Sequence, residues 1–561
     1  METSKRQYSI GIDFGTLSAR GILYNAEDGT ALFSSTYLYD HAVMSDCLPD
    51  GTVLPPDYAL QDPNDYLMAT ESVLTDIAVH SGADMAAVKG IGIDFTSCTV
   101  LPVTKDGVPL CTLPGFESEK HAYVKLWKHH SAQKYAKEIN DAVALNNWTW
   151  LQHCSGKVSA EWMLPKLLEI YRECPAVRQK MGFFLEAGDW ITWRLTGRLT
   201  RNSAAAGFVG TYNCETGYPP LSDLDAIQKG FGDFAYEKAF GDVFAPGAVA
   251  GLLRQDVAEK VHLPQGIPVA VSHMDSQAGM LALKDYHAGT TLAIIGTSTV
   301  FLVLSDCMLS IPGVSSVVRD GIVPGYYGYS AGQSCVGDIF EWASNVCLPE
   351  NYAKEAREKN ISVQELLTRK ASRLKPGESG LIALDWHNGN RSVLLDMDLS
   401  GLIMGLTLQT SPEEIYRAMI EATAFGARTI IERFREYGID IPELHVTGGI
   451  PQKNKLLLQI YADVLNLPVL IANSQNGPAR GAAVLGAVAG GIYSTVSEAS
   501  KHLGCDSIGP IMPAPENVNV YNSLYQEYKK LHDYFGIEDL VMHRLKTLRS
   551  SIWTERSNLP L

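Results

Sequence analysis

Asp13 stands in an apolar run, Ile10 to Phe14, directly ahead of Gly15, Thr16 and Ser18; a second apolar run resumes at Ile22 to Tyr24. Two apolar runs joined by so short a polar link read as a β-hairpin. Gly15 lets the backbone of such a turn approach a ligand, and turn amides and hydroxyls can donate to phosphate oxygens. An acid at the end of a buried strand needs a partner, and a metal ion is one way to supply it. An ordinary hairpin with a polar turn would leave the same local pattern. A second version from Leu292 to Leu304, with Gly296, Thr297 and Ser298 at its turn, favours the phosphate reading. Two such hairpins nearly half a chain apart point to two related domains facing each other across one nucleotide.

Other residues carry weaker signals. Asp94 lies in the apolar run Gly90 to Phe95, with Thr96, Ser97, Cys98 and Thr99 behind it, where an α/β sheet opens into its ligand crevice. Asp275 follows an apolar stretch and begins a helix of small residues; it is either a helix N-cap or an acid presented to a cleft. Gly448-Gly449 after the strand Leu444 to Thr447 is a plain turn or a gap left for purine and ribose. Gln452 and Asn454 are close enough in sequence to read such a ligand. The sequence contains no G-x-x-x-x-G-K-[ST], no G-x-G-x-x-G after a strand and no G-x-S-x-G, so P-loop, nicotinamide and nucleophile-elbow chemistry lack support.

The elements that must position these groups are legible to different degrees. Ala31 to Leu38 continues the first hairpin as a third strand. Asp62-Pro63 starts a helix after the polar loop His41 to Gln61. Val124 to His130 (VKLWKHH) reads as an amphipathic helix start or as a binding segment. Phe184 to Trp193 reads as helix, and Arg201 to Gly210 as a small-residue turn. Ser411, Pro412 and Glu414 open a long helix that Gly438 stops. Helices are also expected at Asn454 to Leu465 and Asn519 to Phe535. Gly481 to Gly490 (GAAVLGAVAG) can approach a neighbouring backbone closely.

The stretches IGIDFGTLSAR, GIGIDFTSCTVLPV, VKLWKHH, IIGTSTV, IVPGYYGYSAGQSCVGDIFEW, ALDWHNGNRS and LYQEYKKLHDYFG, spread from Ile10 to Gly536, resemble the FGGY carbohydrate kinases, and among them the ribulokinases. A later FGGY signature fits at Gly401 to Leu406 and Ala418 to Glu421. The earlier one fits more loosely around Glu161 to Tyr171. The resemblance implies two RNase-H-like α/β domains of the actin and hexokinase ATPase type with the active site between them. The expected division is residues 1–284 and 285–561, with a hinge near Lys284 to Gly289. It also implies ATP and Mg²⁺ as cofactors and phosphorylation of the terminal hydroxyl of a ketopentose, ribulose giving ribulose 5-phosphate. By the same resemblance Asp275 is the catalytic base and also touches the sugar, and Asp13 helps hold Mg²⁺. Thr16, Ser18 and Arg20 then face the phosphates from one side and Gly296, Thr297 and Ser298 from the other. Gln333 reaches toward ATP, Gly448, Gly449, Gln452 and Asn454 surround the nucleoside, and Ser97, Trp127 and Lys128 serve the sugar.

Two positions depart from that family. The turn Ala206-Gly207-Phe208-Val209 usually ends in Lys, and Gly328 to Gln333 usually has Glu at its third place; here Val209 and Ser330 stand on the sugar side. Losing the cation and the anion together is what a re-made pocket looks like, because a lone buried charge is costly. Other acceptors thus stay open: xylulose, erythrulose or a pentitol, or a sugar-sensing ATPase that phosphorylates nothing.

Composition is consistent with this. At 561 residues the chain exceeds one core, and 19% charged and 46% hydrophobic residues are ordinary for a globular protein. A formal charge of −16 speaks against a nucleic-acid or anionic-membrane partner. The N-terminus lacks the apolar core of a signal peptide, and ten scattered cysteines without C-x-x-C spacing read as reduced thiols of a cytoplasmic enzyme. The sequence leaves a homodimer open.

Overall fold

The computed structural model describes residues 6–557 except Ser155, Cys347, Ser474 and Gln475. Strands β1 (Tyr8–Phe14), β2 (Ser18–Asn25) and β3 (Ala31–Leu38) form an antiparallel meander. Helix α1 (Pro63–His80) begins as the sequence requires: the Asp62 carboxylate accepts from the Asn64 amide at 2.8 Å, and Pro63 takes the first helical position. β4 (Val88–Phe95) then returns parallel to β1 with Asp94 level with Asp13. A helical insertion follows, including α2 (Met163–Glu173) and α3 (Ser203–Phe208). β5 (Val249–Leu252), β6 (Pro268–Ala270), β7 (His273–Met274) and α4 (Asp275–Leu281) complete the first lobe.

The second lobe repeats the plan. β8 (Thr291–Ile295), β9 (Thr299–Ser305), β10 (Ser316–Arg319) and β11 (Tyr327–Gln333) precede α5 (Gly337–Val346) and α6 (Pro412–Glu436). β12 (Leu444–Thr447), α7 (Lys455–Leu465), β13 (Val469–Ala472), α8 (Gly477–Ala489), α9 (Val496–Leu503), β14 (Ser507–Ile511) and α10 (Pro515–Asp533) follow. The sheet orders are β5-β6-β4-β1-β2-β3, with β7 also beside β4, and β10-β11-β9-β8-β12-β13-β14. Each is an antiparallel meander, then two strands parallel to its first, then one antiparallel edge strand. β10 is an extra strand on the second sheet. The duplication expected from the two hairpins thus extends to whole sheets.

Two expectations change. Phe184 belongs to a strand, Phe183–Glu186, paired with Val100–Val103, and the helix starts only at Ala187. Arg201 to Gly210 is a short strand and the helix α3, because the Asn202 side chain accepts from the Ala205 amide at 2.7 Å and caps a run of alanines. By contrast, Ser411 and Glu414 form the expected capping box of α6. Among the described residues no helix is long and apolar enough to cross a membrane.

The lobes are joined by more than the linker. α4 and α8 lie between the sheets, in a buried cluster that takes Ile22 and Tyr24 from β2, Met280 and Leu281 from α4, Leu292, Leu302 and Leu304 from β8 and β9, and Val484 from α8. α8 meets the first sheet backbone to backbone. A Cβ at Gly11 would lie 1.9 Å from the Ala479 carbonyl oxygen, at Gly90 1.8 Å from that of Gly486, and at Gly92 1.8 Å from that of Ala482. The Ser9 hydroxyl donates to the Ala483 carbonyl at 2.7 Å. The linker itself is laced to the segment after α8: Lys284 pairs with Asp506 at 2.8 Å, and the Tyr286 hydroxyl donates to Ser500 at 3.1 Å.

Gly92→Ala therefore has no room and is expected to destabilise the protein by about 1–3 kcal/mol, the usual cost of overpacking. Gly279→Ala, whose methyl would find nothing nearer than 3.8 Å inside α4, is expected to be neutral or to stabilise. Urea unfolding of the two variants checks both.

Candidate active site

Three parallel strands end side by side. β1 delivers Asp13, β4 delivers Asp94, and β7, level with Asp94 at His273, delivers Asp275 as the first residue of α4. Phe14 and Phe95 stack at 4.8 Å behind them and fix the strand ends. Burial raises all three acids, and Asp13 adds to the rise of the other two. Burial, and then the charge of Asp13, push Asp275 up to about 7. Burial, Asp13 and Asp275 hold Asp94 well above the carboxylate range. Asp13 is raised by burial, against a hydrogen bond with Asp94 and the charge of Arg20. Burial and its two neighbours thus favour the neutral form of Asp94. Asp275 is not an N-cap, a role that falls to Met274; one carboxylate oxygen accepts from the Ser276 amide at 2.6 Å.

The two hairpin turns are built alike. The Gly15 amide donates to the Ser18 carbonyl and the Gly296 amide to the Ser298 carbonyl, each at 2.9 Å. This leaves Thr16 and Thr297 at the tips. The sequence reading missed the start of α5, which lies against the second turn: the Val336 amide donates to the Thr297 carbonyl at 2.7 Å and the Gly337 amide to that of Gly296 at 3.0 Å. Its only signal was Gly337-Asp338 at the head of a short amphipathic run. Arg391 was also missed. It extends beside Gly332, and its charge is felt by Glu161 of the first lobe.

On the first lobe Trp127 leans over its hairpin, its indole N–H donating to the Thr16 hydroxyl at 3.2 Å, and Lys128 beside it is exposed. Val124 to His130 is thus a short strand, Val124–Lys125, and a turn, not a helix. Ser97 is half-buried in the turn after β4. Ser18 opens β2. Arg20, opposite Asp13 in the hairpin, donates to Thr36 at 3.1 Å and also to Asn476 at the start of α8, so it ties the first turn to the helix between the lobes. Val209 is buried with Cys98, Met274 and Val318. Ser330 lies level with Ser316 on the neighbouring strand, and the Ser316 hydroxyl reaches the Phe208 carbonyl at 3.5 Å. Val209 and Ser330 are thus linked through Ser316, and the charge on this face comes from Arg391 beside Gly332, two residues on from Ser330.

Three of the residues expected around the nucleotide have partners within the protein. Gln333 is buried in the second lobe, and its amide donates to Asp385 and to the Thr423 carbonyl, both at 2.8 Å, so it braces the core beneath α6. Asn454 caps α7, accepting from the Leu457 amide at 3.0 Å. Gly448 is a glycine because of its backbone: φ is +111°, and a Cβ would lie 2.2 Å from the Ile295 carbonyl oxygen of β8. Gly449 differs. Nothing lies within 4 Å of a Cβ there, so it faces open space, and Gln452 nearby is exposed.

The carboxylates at the strand ends offer the oxygen donors that Mg²⁺ prefers, and Asp94 leaves both carboxyl oxygens without a hydrogen-bonded partner of good geometry. They do not by themselves form a closed cage. Among the described residues the three side chains close enough to do so are Asp396, Asp398 and His543, where Lys546 already pairs with Asp398 at 2.9 Å. One or two carboxylates completed by phosphate oxygens and water is the usual Mg²⁺ arrangement in phosphoryl-transfer sites. The residues fit the ion.

Residues 8–282 match the N-terminal domain, and residues 291–490 the C-terminal domain, of the FGGY family of carbohydrate kinases. The chain belongs to this family. It is thereby a phosphotransferase with an alcohol group as acceptor. This FGGY kinase is 43% identical over 539 residues to a protein named ribulokinase from Bacillus licheniformis, covering 95% of this chain and 98% of the relative. It is 44% identical over 563 residues to one from Anoxybacillus flavithermus, covering 99% and 100%. Its fold is shared with a solved xylulose kinase from Rhodospirillum rubrum, at TM-score 0.78 and 22% identity over 94% of this chain and 99% of that one. It is shared too with Plasmodium falciparum glycerol kinase solved with ADP, at TM-score 0.75 and 16% identity over 94% and 98%. These bear out the two-lobed α/β architecture.

Asp275→Asn is expected to lower kcat by roughly 10²–10⁴-fold, the usual contribution of a positioned base. It should also make the folded protein more stable. A carboxyl raised from 3.8 to about 7 by folding carries a cost that is absent below pH 4 and complete above pH 7. Melting curves should show a larger gain for the variant at pH 8 than at pH 4.5. Gly449→Val, in open space, should leave stability intact while weakening nucleotide binding in calorimetry; Gly448→Val should unfold the turn.

Proposed function

We propose that this kinase transfers the γ-phosphoryl group of ATP to the terminal hydroxyl of a ketopentose, ribulose in the first instance. The observation that carries the mechanism is the convergence of Asp13, Asp94 and Asp275 at one end of the central strands of the first sheet, and the hairpin of the second lobe is read as the source of phosphate donors. Asp275 takes the proton of the sugar hydroxyl as its oxygen bonds to the γ-phosphorus and the bond to ADP breaks. An acid that titrates near neutrality is poised for that task. Asp94, raised by burial, stands level with Asp13 on the neighbouring strand. Mg²⁺, held through Asp13, would offset phosphate charge. The turn at Gly296 to Ser298, held in place by the amides at the head of α5, faces the phosphates, and Gly449 and Gln452 leave the space for the nucleoside. Trp127 offers the sugar an aromatic edge while its N–H holds Thr16, so sugar and phosphate sites share one contact.

The lobes correspond to residues 1–284 and 285–561, except that α8 and α9 serve both. Ribulose as acceptor rests on the names of the relatives at 42–44% identity. A second reading, another ketose or polyol, is favoured by Val209 and Ser330 standing where the family usually has Lys and Glu, because a site built on hydrogen bonds discriminates strongly when one partner is missing. ATP as donor and a cytoplasmic setting complete the proposal. The test is kcat/KM over L-ribulose, D-ribulose, both xyluloses, ribitol, L-arabitol, erythritol and erythrulose, with product mass. A ribulose at the head by tenfold or more is the expected result of the first reading and removes the second. ATP turnover without any phosphorylated sugar would defeat both.

A further inference from the structure

Lys166, in the first turn of α2, is completely buried. Its ammonium donates to two backbone carbonyls, that of Cys98 at 2.7 Å and that of Leu126 at 2.9 Å. Among the described residues no carboxylate lies within ion-pair distance of it. Lys125, equally buried nearby, has Glu169 at 2.9 Å, so the fold can neutralise a buried lysine here and does not do so at Lys166. Burial lowers the Lys166 ammonium to about 8, so it keeps its charge at neutral pH. An unpaired buried charge is a standing cost.

The two carbonyls belong to the two turns on the sugar side. Cys98 follows Ser97 and sits at φ +56°, a left-handed conformation unfavourable for a residue with a side chain. Leu126 precedes Trp127, and its carbonyl also accepts from the His129 amide at 3.0 Å. The turns come from different strands, and the ammonium is a short bridge from one to the other.

We infer that Lys166 is a positioning residue that clamps the Ser97–Cys98 turn to the Leu126–Trp127 turn and so sets the sugar pocket's width, without touching sugar or nucleotide. The inference rests on the sugar-kinase reading for its kinetic consequence but not for its structural one. Lys166→Met removes the donors and the charge at nearly constant volume. Expected are a rise of at least tenfold in KM for the best sugar, a KM for ATP within about twofold of wild type, and no loss of thermal stability. In the ligand-free protein, hydrogen exchange read by mass spectrometry should quicken together in peptides covering Ser97 to Thr99 and Leu126 to His129. Lys166→Gln, which keeps a donor for one carbonyl, should give an intermediate sugar KM and serves if the Met variant does not fold. Unchanged exchange in both peptides overturns the clamp, even if no sugar proves to be a substrate. An unchanged sugar KM, or equal rises in both KM values, overturns its role in the pocket while leaving the kinase reading intact.

Discussion

The architecture depends on one contact, the bare backbone meeting of α8 with the first sheet. Gly11, Gly90 and Gly92 present no side chains, and the helix answers with Ala479, Ala482 and Gly486. Side chains would hold the helix several ångströms further off, and the strand ends carrying Asp13 and Asp94 would lose their fixed relation to the second lobe. The same closeness explains the neighbours. Arg20 can reach Asn476 from β2, Ser9 can reach Ala483, and Arg480 of α8 donates to the Gly29 carbonyl at 2.9 Å. The first hairpin is thus wired to a helix supplied by the other lobe.

The acids at the strand ends are a separate constraint laid on that frame. Three carboxyls gathered in a buried corner cannot all be charged, so the fold keeps Asp94 neutral and leaves Asp275 near its titration point. A site of this kind stores electrostatic repulsion that bound metal and phosphate would change. The second lobe contributes little titratable chemistry to the corner. Its contribution is geometry: a glycine turn, a helix start and an empty place beside Gly449.

Much of this was legible in the sequence because it rests on local chemistry. The hairpins have apolar runs of the right length around glycine and hydroxyl residues, Asp62-Pro63 and Ser411 to Glu414 are capping patterns, and GAAVLGAVAG is small enough for close backbone packing. What failed was the direction of individual side chains. Gln333 and Gly448 are engaged by partners far away in sequence, Asp385 and Thr423 for the one and β8 for the other, whereas Asn454 is taken up locally as the cap of α7. Arg391 and the head of α5 lie inside two of the quoted family-like stretches but carry no local signal of a role, since their value comes only from strands that the chain reaches elsewhere. Phe184 was misjudged because a four-residue strand leading into a helix has no period of its own.

The placement of α8 also bears on how the molecule can be taken apart. It is encoded after residue 470, yet its closest packing is with strands encoded before residue 95. Cutting the gene at the linker would therefore yield one fragment with an uncovered glycine face and another with an orphaned apolar helix. Neither piece is a self-sufficient module, and during synthesis the first sheet must wait for most of the chain to be made before its second face is closed.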